Sequence, residues 1–273
     1  MVSAGRVVVE IRDHVADVRL ARPDKLNALD PAMFETLAET GARLARERGI
    51  RAVVLSGEGR SFCAGLDMES FASVARDGAS GLGDIAARTH GDANLFQHAA
   101  LVWRDLPVPV IAALHGPVFG GGLQIALGCD MRFAAPDARL SVLEIKWGIV
   151  PDMGGMLLMR RLMRADLIRE LTFTGRIVPA EEARSLGLVT ALHDDPHAAA
   201  LAVAAEIAGK NPDAVRAAKR LLNAADDERR AEILLAESHA QAGLLGTPNQ
   251  VEAVRANAER RTPSFRDAPS VAS

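Results

Sequence analysis

Two carboxylates in the middle of the chain stand among apolar neighbours in a way that suits proton transfer. In Leu143-Glu-Ile-Lys-Trp-Gly-Ile-Val-Pro-Asp-Met-Gly-Gly155, Glu144 and Asp152 are set among Leu, Ile, Trp, Val and Met. A carboxyl in such a wall loses hydration in its charged form, so its pKa rises toward neutrality, where an acid–base shuttle works best. Each has a plainer alternative. Glu144 can pair with Lys146 or an arginine, and Asp152 has the residue type and place to cap a helix beginning near Met153.

A second stretch is suited to stabilising negative charge. Val110 to Leu114 is a short apolar run of the kind that forms a buried strand, and Gly116-Pro117 punctuates it. Three consecutive glycines, Gly120 to Gly122, precede the short apolar run Leu123, Ile125, Ala126 and Leu127. A strand, a bare turn and a helix start leave backbone N–H groups aimed outward, where a ligand oxygen can approach without meeting a Cβ. The alternative is a tight packing turn, which also selects glycine.

Other chemistries lack their signatures. No Lys-Ser or Lys-Thr follows the glycines, and no GxGxxG with a downstream acid is present, which argues against a nucleotide-phosphate cradle. Gly59-Arg-Ser-Phe-Cys63 lacks the last glycine of G-x-S-x-G, leaving Ser61 a loop serine. Cys63 has no adjacent His or Lys to lower its pKa and reads as packing. His90, His98 and His115 form no HxxxH or clustered metal set, so no metal is expected. A net charge of −3, few aromatics and no tyrosine argue against a nucleic-acid surface. No apolar run approaches a membrane span, and the first residues alternate Val and charge without an apolar signal core. With only two cysteines, Cys63 and Cys129, and no CxxC, a reducing cytoplasm is expected.

The elements that must position these residues follow from periodicity. Val7–Ile11 and Val15–Leu20 alternate around Asp13-His14 and predict a hairpin. Asp30-Pro31 predicts a helix start, with helical spacing to about Arg48. Ala52–Leu55 predicts a buried strand, followed by a polar loop to Gly65. A helix is expected over about 90–105, and a short strand over 130–133. Residues 72–88, rich in Ala, Gly, Ser and Asp, give no clear period. Helices are expected near 156–163 and 165–173, with a compact one from Pro179 to Gly187. From Pro196 to Arg260 the pattern is helical, broken at Asn211-Pro212, near Asp226 and at Thr247-Pro248. Residues 1–195 thus form an α/β core and residues 196–273 a helical region.

Taken together, Arg22-Pro with Asn27-Ala-Leu29, Ser61-Phe-Cys-Ala-Gly-Leu-Asp67, the glycine stretch and Glu144 to Gly155 resemble the crotonase superfamily, the enoyl-CoA hydratases and isomerases. The resemblance spans essentially the whole chain. It implies a spiral of ββα turns with a helical C-terminal region, assembled as a homotrimer or a dimer of trimers. It also implies an acyl-CoA thioester substrate, with coenzyme A arriving as part of that substrate and no separate cofactor. By the same resemblance Leu66 and Gly121 supply the two N–H groups of an oxyanion hole. Lys25, Ala28, Ala64, Asp67 and Met68 line the coenzyme A surface, and Glu144 is the general base. Where the hydratases carry a first glutamate this sequence has Gln124, an amide that can orient water or substrate but cannot take a proton. Asp152 falls where the family's dienoyl-CoA isomerases carry a second acid, although those isomerases also usually carry an acid where Gln124 stands, so the resemblance to them is partial. The resemblance therefore implies double-bond isomerisation of an enoyl- or dienoyl-CoA; single-glutamate hydration of a 2-enoyl-CoA and a non-catalytic acyl-CoA-binding scaffold are the alternatives.

Overall fold

In the computed structural model, which describes residues 2–3, 5–67, 69, 84–226 and 229–264, the short β1 (Val2–Ser3) leads into the expected hairpin. β2 (Val7–Arg12) and β3 (Val15–Leu20) are joined through Asp13 and His14, both at positive φ (47° and 68°), the handedness that a two-residue hairpin turn requires. Asp30 then caps α1 (Pro31–Arg46) by accepting from the Met33 amide, with proline in the first turn. β4 (Ala52–Gly57) follows. α2 (Leu95–Asp105) starts five residues later than the expected His90, because Asn94 and Gln97 close a capping box. Next come β5 (Val110–Leu114), β6 (Pro117–Phe119), α3 (Gly121–Leu127), β7 (Met131–Ala134) and β8 (Arg139–Ser141). A 3-10 turn, Glu144–Trp147, leads to α4 (Gly155–Met159) and α5 (Ala165–Thr174). β9 (Val178–Pro179), α6 (Ala180–Leu186) and β10 (Ala191–Leu192) complete the mixed part. α7 (Pro196–Ala208), α8 (Pro212–Asp226), α9 (Arg230–Leu244) and α10 (Pro248–Glu259) break at the three expected places.

Among the described residues the strands make a seven-stranded sheet in the order β1-β2-β3-β4-β5-β7-β10 and a three-stranded sheet in the order β6-β8-β9. Each turn of the chain lays one strand in the large sheet and then one in the small sheet: β5 leads to β6, and β7 to β8. The earlier turns touch the same second layer through isolated bridges, Cys63 to Val118 and Leu29 to Leu66. This is a crotonase-type spiral.

The large sheet is covered on both faces, so β4 and β5 read as uninterrupted apolar runs. Alternation nevertheless divides them. Val53, Leu55, Val110, Ala112 and Leu114 join the main core with α1 and α2, whereas Ala52, Val54, Ile111 and Ala113 face Ala200, Ala204 and Ala208 of α7. The register pairs Val53 with Val110 and Ile111 with Met131, which holds the ends of β4, β5 and β7 level. The loops leaving those ends carry the candidate site. No helix among the described residues is long and apolar enough to cross a membrane.

Candidate active site

Two loops are zipped together beside the ends of β3 and β4. Asn27 is fully buried; its oxygen accepts from Arg22 N at 2.9 Å, and its amide donates to the carbonyls of Glu58 (3.0 Å) and Ser61 (2.8 Å). Main-chain bonds continue the zipper: Ala64 N to Leu26 O (3.0 Å), Leu29 N to Gly65 O (2.8 Å) and Asp67 N to Leu29 O (2.9 Å). Leu66 sits in the middle of this run, and its own N–H has no acceptor among the described residues. The Asp67 carboxylate turns inward to Arg22 (2.5 Å) and to the Glu69 amide (2.8 Å), so it fastens the loop rather than facing outward. Ser61 Oγ donates to Pro117 O at 2.9 Å, and the buried Cys63 thiol is pushed up to about 12 by desolvation. Both are structural.

The glycine turn lies against this loop. Gly120, with φ at 50° and ψ at −121°, occupies a conformation open to glycine. Its N–H is held by Ser141 O at 3.0 Å, which delivers the chain into α3 with the Gly121 N–H without an acceptor among the described residues. A Cβ on Gly121 would lie 2.8 Å from Leu29 Cδ1 and 2.9 Å from Met153 Sδ. A Cβ on Gly65 would lie 2.8 Å from the Phe119 carbonyl oxygen and 3.8 Å from the Gly121 nitrogen. The two loops therefore approach closely, each presenting one free amide.

Gln124, Glu144 and Asp152 line the same cavity as these amides. Gln124, on the first turns of α3, donates to Glu144 Oε1 at 2.7 Å, while its oxygen accepts from Met153 N (2.8 Å) and Gly155 N (2.9 Å). An amide whose oxygen holds two N–H groups cannot flip, so its NH2 is fixed on Glu144. The Lys146 or arginine pairing considered for Glu144 is absent among the described residues. Instead Glu144 Oε2 is buried without a partner there, and desolvation pushes the carboxyl up to about 7, with Gln124 pulling the other way. Asp152 does not cap the following helix. Gly154 occupies the N-cap of α4 in a left-handed conformation, and the amides of Gly154 and Met156 are taken by Glu237 of α9 at 2.9 and 3.0 Å. Asp152 is raised to about 8 by desolvation first and then by the negative charges of Glu237 and Glu144.

Among the described residues these surfaces enclose a cavity of about 570 Å³. It brings together Lys25, Ala28, Ala64, Leu66, Asp67, Gly121, Gln124, Glu144 and Asp152, with Phe34, Phe96, Trp147, Ile149 and Met153 as its apolar wall. Lys25 stands at an exposed edge, paired with Glu69 at 3.1 Å. Met68 and most of the 72–88 segment lie outside the described residues. Sequence reasoning missed Glu237 and the latching role of Asn27. The signal for Glu237 was available: Leu234, Glu237, Ser238 and Gln241 share one buried helical face, and three of the four are polar.

Free amides opposing two neutral-pH carboxylates along an apolar cavity suit formation and quenching of an enolate. Residues 10–268 match the enoyl-CoA hydratase/isomerase family model. The chain is 35% identical over 262 residues to the human mitochondrial Delta(3,5)-Delta(2,4)-dienoyl-CoA isomerase, covering 93% of this chain and 79% of the relative. It is 34% identical to the (E)-benzylidenesuccinyl-CoA hydratase of Thauera aromatica, covering 96% and 99%. Among solved structures, an enoyl-CoA hydratase/isomerase from Mycobacterium paratuberculosis superimposes with a TM-score of 0.83 at 28% identity, covering 92% of this chain and 97% of that one. Motif order, spiral fold and these likenesses agree, and the chain belongs to the enoyl-CoA hydratase/isomerase family of the crotonase superfamily.

Proposed function

We propose that the protein isomerises an enoyl- or dienoyl-CoA by moving its double bonds through a thioester enolate. The observation that carries this reading is the fixed Gln124 amide: it donates to one oxygen of Glu144, leaves the other free at the cavity, and puts no carboxylate at position 124 to help hold and activate a water. The Glu144 carboxylate takes a proton from the carbon next to the thioester. The electron pair passes into the thioester, whose oxygen accepts from Leu66 N–H and Gly121 N–H; such donors are typically worth about 3 kcal/mol each. In a dienoyl chain the negative charge spreads to the distal carbon, which takes a proton from the neutral Asp152 carboxyl. The double bonds have then moved, no water has been added, and Glu144 and Asp152 have exchanged protonation states. Proton return through solvent resets them.

The reaction needs no cofactor beyond the coenzyme A of the substrate. Its nucleotide would lie along Lys25, Ala28, Ala64, Asp67 and Met68, mostly on main-chain groups. Exposed Ile145, Phe173 and Ile177 support a homotrimer or dimer of trimers, readable by sedimentation velocity. The unpaired buried thiols Cys63 and Cys129 support a reducing cytoplasm.

The names of the human and Thauera relatives support the two chemistries to be compared. Purified protein is offered 3,5-dienoyl-, 3-enoyl- and 2-enoyl-CoA thioesters, and products are read by mass and ultraviolet absorbance. Conjugation of the first two without mass gain is expected. Rapid gain of water on the 2-enoyl thioester, lost in Glu144→Ala, would instead establish hydration. Tight binding without solvent deuterium exchange at the α carbon would establish a scaffold.

A further inference from the structure

Four consecutive amides at the start of α4 are shared alternately between two side chains from distant parts of the chain. Met153 N and Gly155 N donate to Gln124 Oε1, whereas Gly154 N donates to Glu237 Oε2 and Met156 N to Glu237 Oε1. Gln124 belongs to the spiral, and Glu237 to the C-terminal helix α9. Glu237 is buried and is not part of the cavity wall, so it does not touch a substrate. What it touches is the turn that holds Gln124. If that turn slackens, the Gln124 oxygen loses its two donors and its NH2 is no longer fixed on Glu144.

The charges around this turn are arranged unequally. Burial pushes the Glu237 carboxyl up to about 7, while the main-chain N–H groups of Gly154, Met156 and Leu157 and the Gln97 side chain pull the other way and favour its ionised form. Asp152 has no such set; among the described residues its own backbone N–H is the one hydrogen-bond donor acting on it. Cations of the surrounding elements are engaged elsewhere. Arg88 binds Gln97, Ser238 and the Ile85 and Ala86 carbonyls, and Arg230 of α9 pairs with Asp92 and Asp105. Glu144, on the 3-10 turn, is the other carboxylate facing Asp152.

We propose that Glu237 is a positioning residue for the Glu144–Asp152 pair: held on the Gly154 and Met156 amides, its carboxylate fixes the 153–156 turn that aims Gln124 at Glu144 and stands as a like charge close to Asp152. The proposal rests on the isomerase reading of the site. The C-terminal helical region thereby acts on both carboxyls.

The test follows the γ-carboxyl resonance of Asp152 by 13C NMR in full-length protein without substrate, assigned by its loss in Asp152→Asn. In Glu237→Gln the Asp152 resonance is expected to titrate about one pH unit lower, since a like charge has been removed. The alkaline limb of kcat/KM should move down by the same amount. In Glu237→Asp the charge survives but the reach does not, so the alkaline limb should stay in place while kcat falls about tenfold. A folded Glu237→Gln with an unmoved Asp152 titration overturns the charge role, and a Glu237→Asp with wild-type kcat overturns the positioning role. If Glu237→Gln does not fold, Glu237→Asp still decides, because a limb that moves down despite the retained charge also refutes the proposal. The titration needs no turnover. A wild-type protein that isomerises nothing refutes the isomerase reading alone, and an active isomerase with an unmoved titration refutes this proposal alone.

Discussion

In the proposed mechanism Glu144 and Gln124 form the pair on which the chemistry turns. Removing the base in Glu144→Gln should lower kcat by about 10³-fold, within the usual range for a general base, and abolish α-carbon deuterium exchange. Gln124→Glu keeps an oxygen for the Met153 and Gly155 amides but replaces the donor on Glu144 by a like charge. Ionisation of Glu144 then becomes harder, and the acid limb of kcat/KM should move up by about one pH unit. The wild-type profile is expected to rise through about 7 as Glu144 loses its proton and to fall through about 8 as Asp152 does. A flat profile across that interval would contradict the acid–base assignment. At this scale the sequence was legible where chemistry and pattern coincide: two acids among apolar residues, and three glycines after a strand. It was silent on partners. Nothing local in Leu143–Gly155 says that the amides after Asp152 are capped by a carboxylate 83 residues away from Gly154.

The elements carry their functional groups by short, precise contacts. The Leu66 N–H is free because Gly65 and Asp67 on either side bond to Leu29. Gly65→Ala should therefore damage activity and stability together. Its φ of 91° disfavours a side chain, and the new Cβ would meet the Phe119 carbonyl at 2.8 Å. We expect about 2 kcal/mol of lost stability and a kcat reduced about 100-fold as the two amides separate, measured by denaturant melts and steady-state kinetics. Long elements were readable: Pro and Asn-Pro marked the helix breaks, and alternation marked β2 and β3. The strands Pro117–Phe119, Arg139–Ser141 and Val178–Pro179 were not, because two or three residues hold no period. Their existence depends on neighbours brought up by the spiral.

For the whole molecule, burying carboxyls at the junction of spiral and helical region couples stability to pH. Glu144 and Glu237 are both raised from 4.5 to about 7, chiefly by desolvation. The folded state thus binds more protons than the unfolded chain between those values. Their contribution is fully present below about 4.5 and is lost as pH rises through about 7, on the order of 1 kcal/mol from each group for each pH unit between the two values. Calorimetry should show a higher Tm at pH 6 than at pH 8, and Glu144→Gln should flatten that slope. A Tm that climbs toward pH 8 would refute it. The two-faced burial of the sheet was foreseeable from uninterrupted runs such as Val110–Leu114, whereas the joining of α9 to α4 was marked only by polar residues recurring on one face of α9, a pattern that does not name the partner.

The free amides at Leu66 and Gly121 have a consequence for how such a protein can change over generations. Being main-chain groups, they belong to no codon, and no single substitution other than to proline removes either one. On the proposed reading, the means of holding a negative oxygen is therefore inherited with the fold. Side chains at positions 124, 144, 152 and 237 remain exposed to mutation. A lineage built this way can exchange one proton-transfer scheme for another while the step that makes the enolate stable persists.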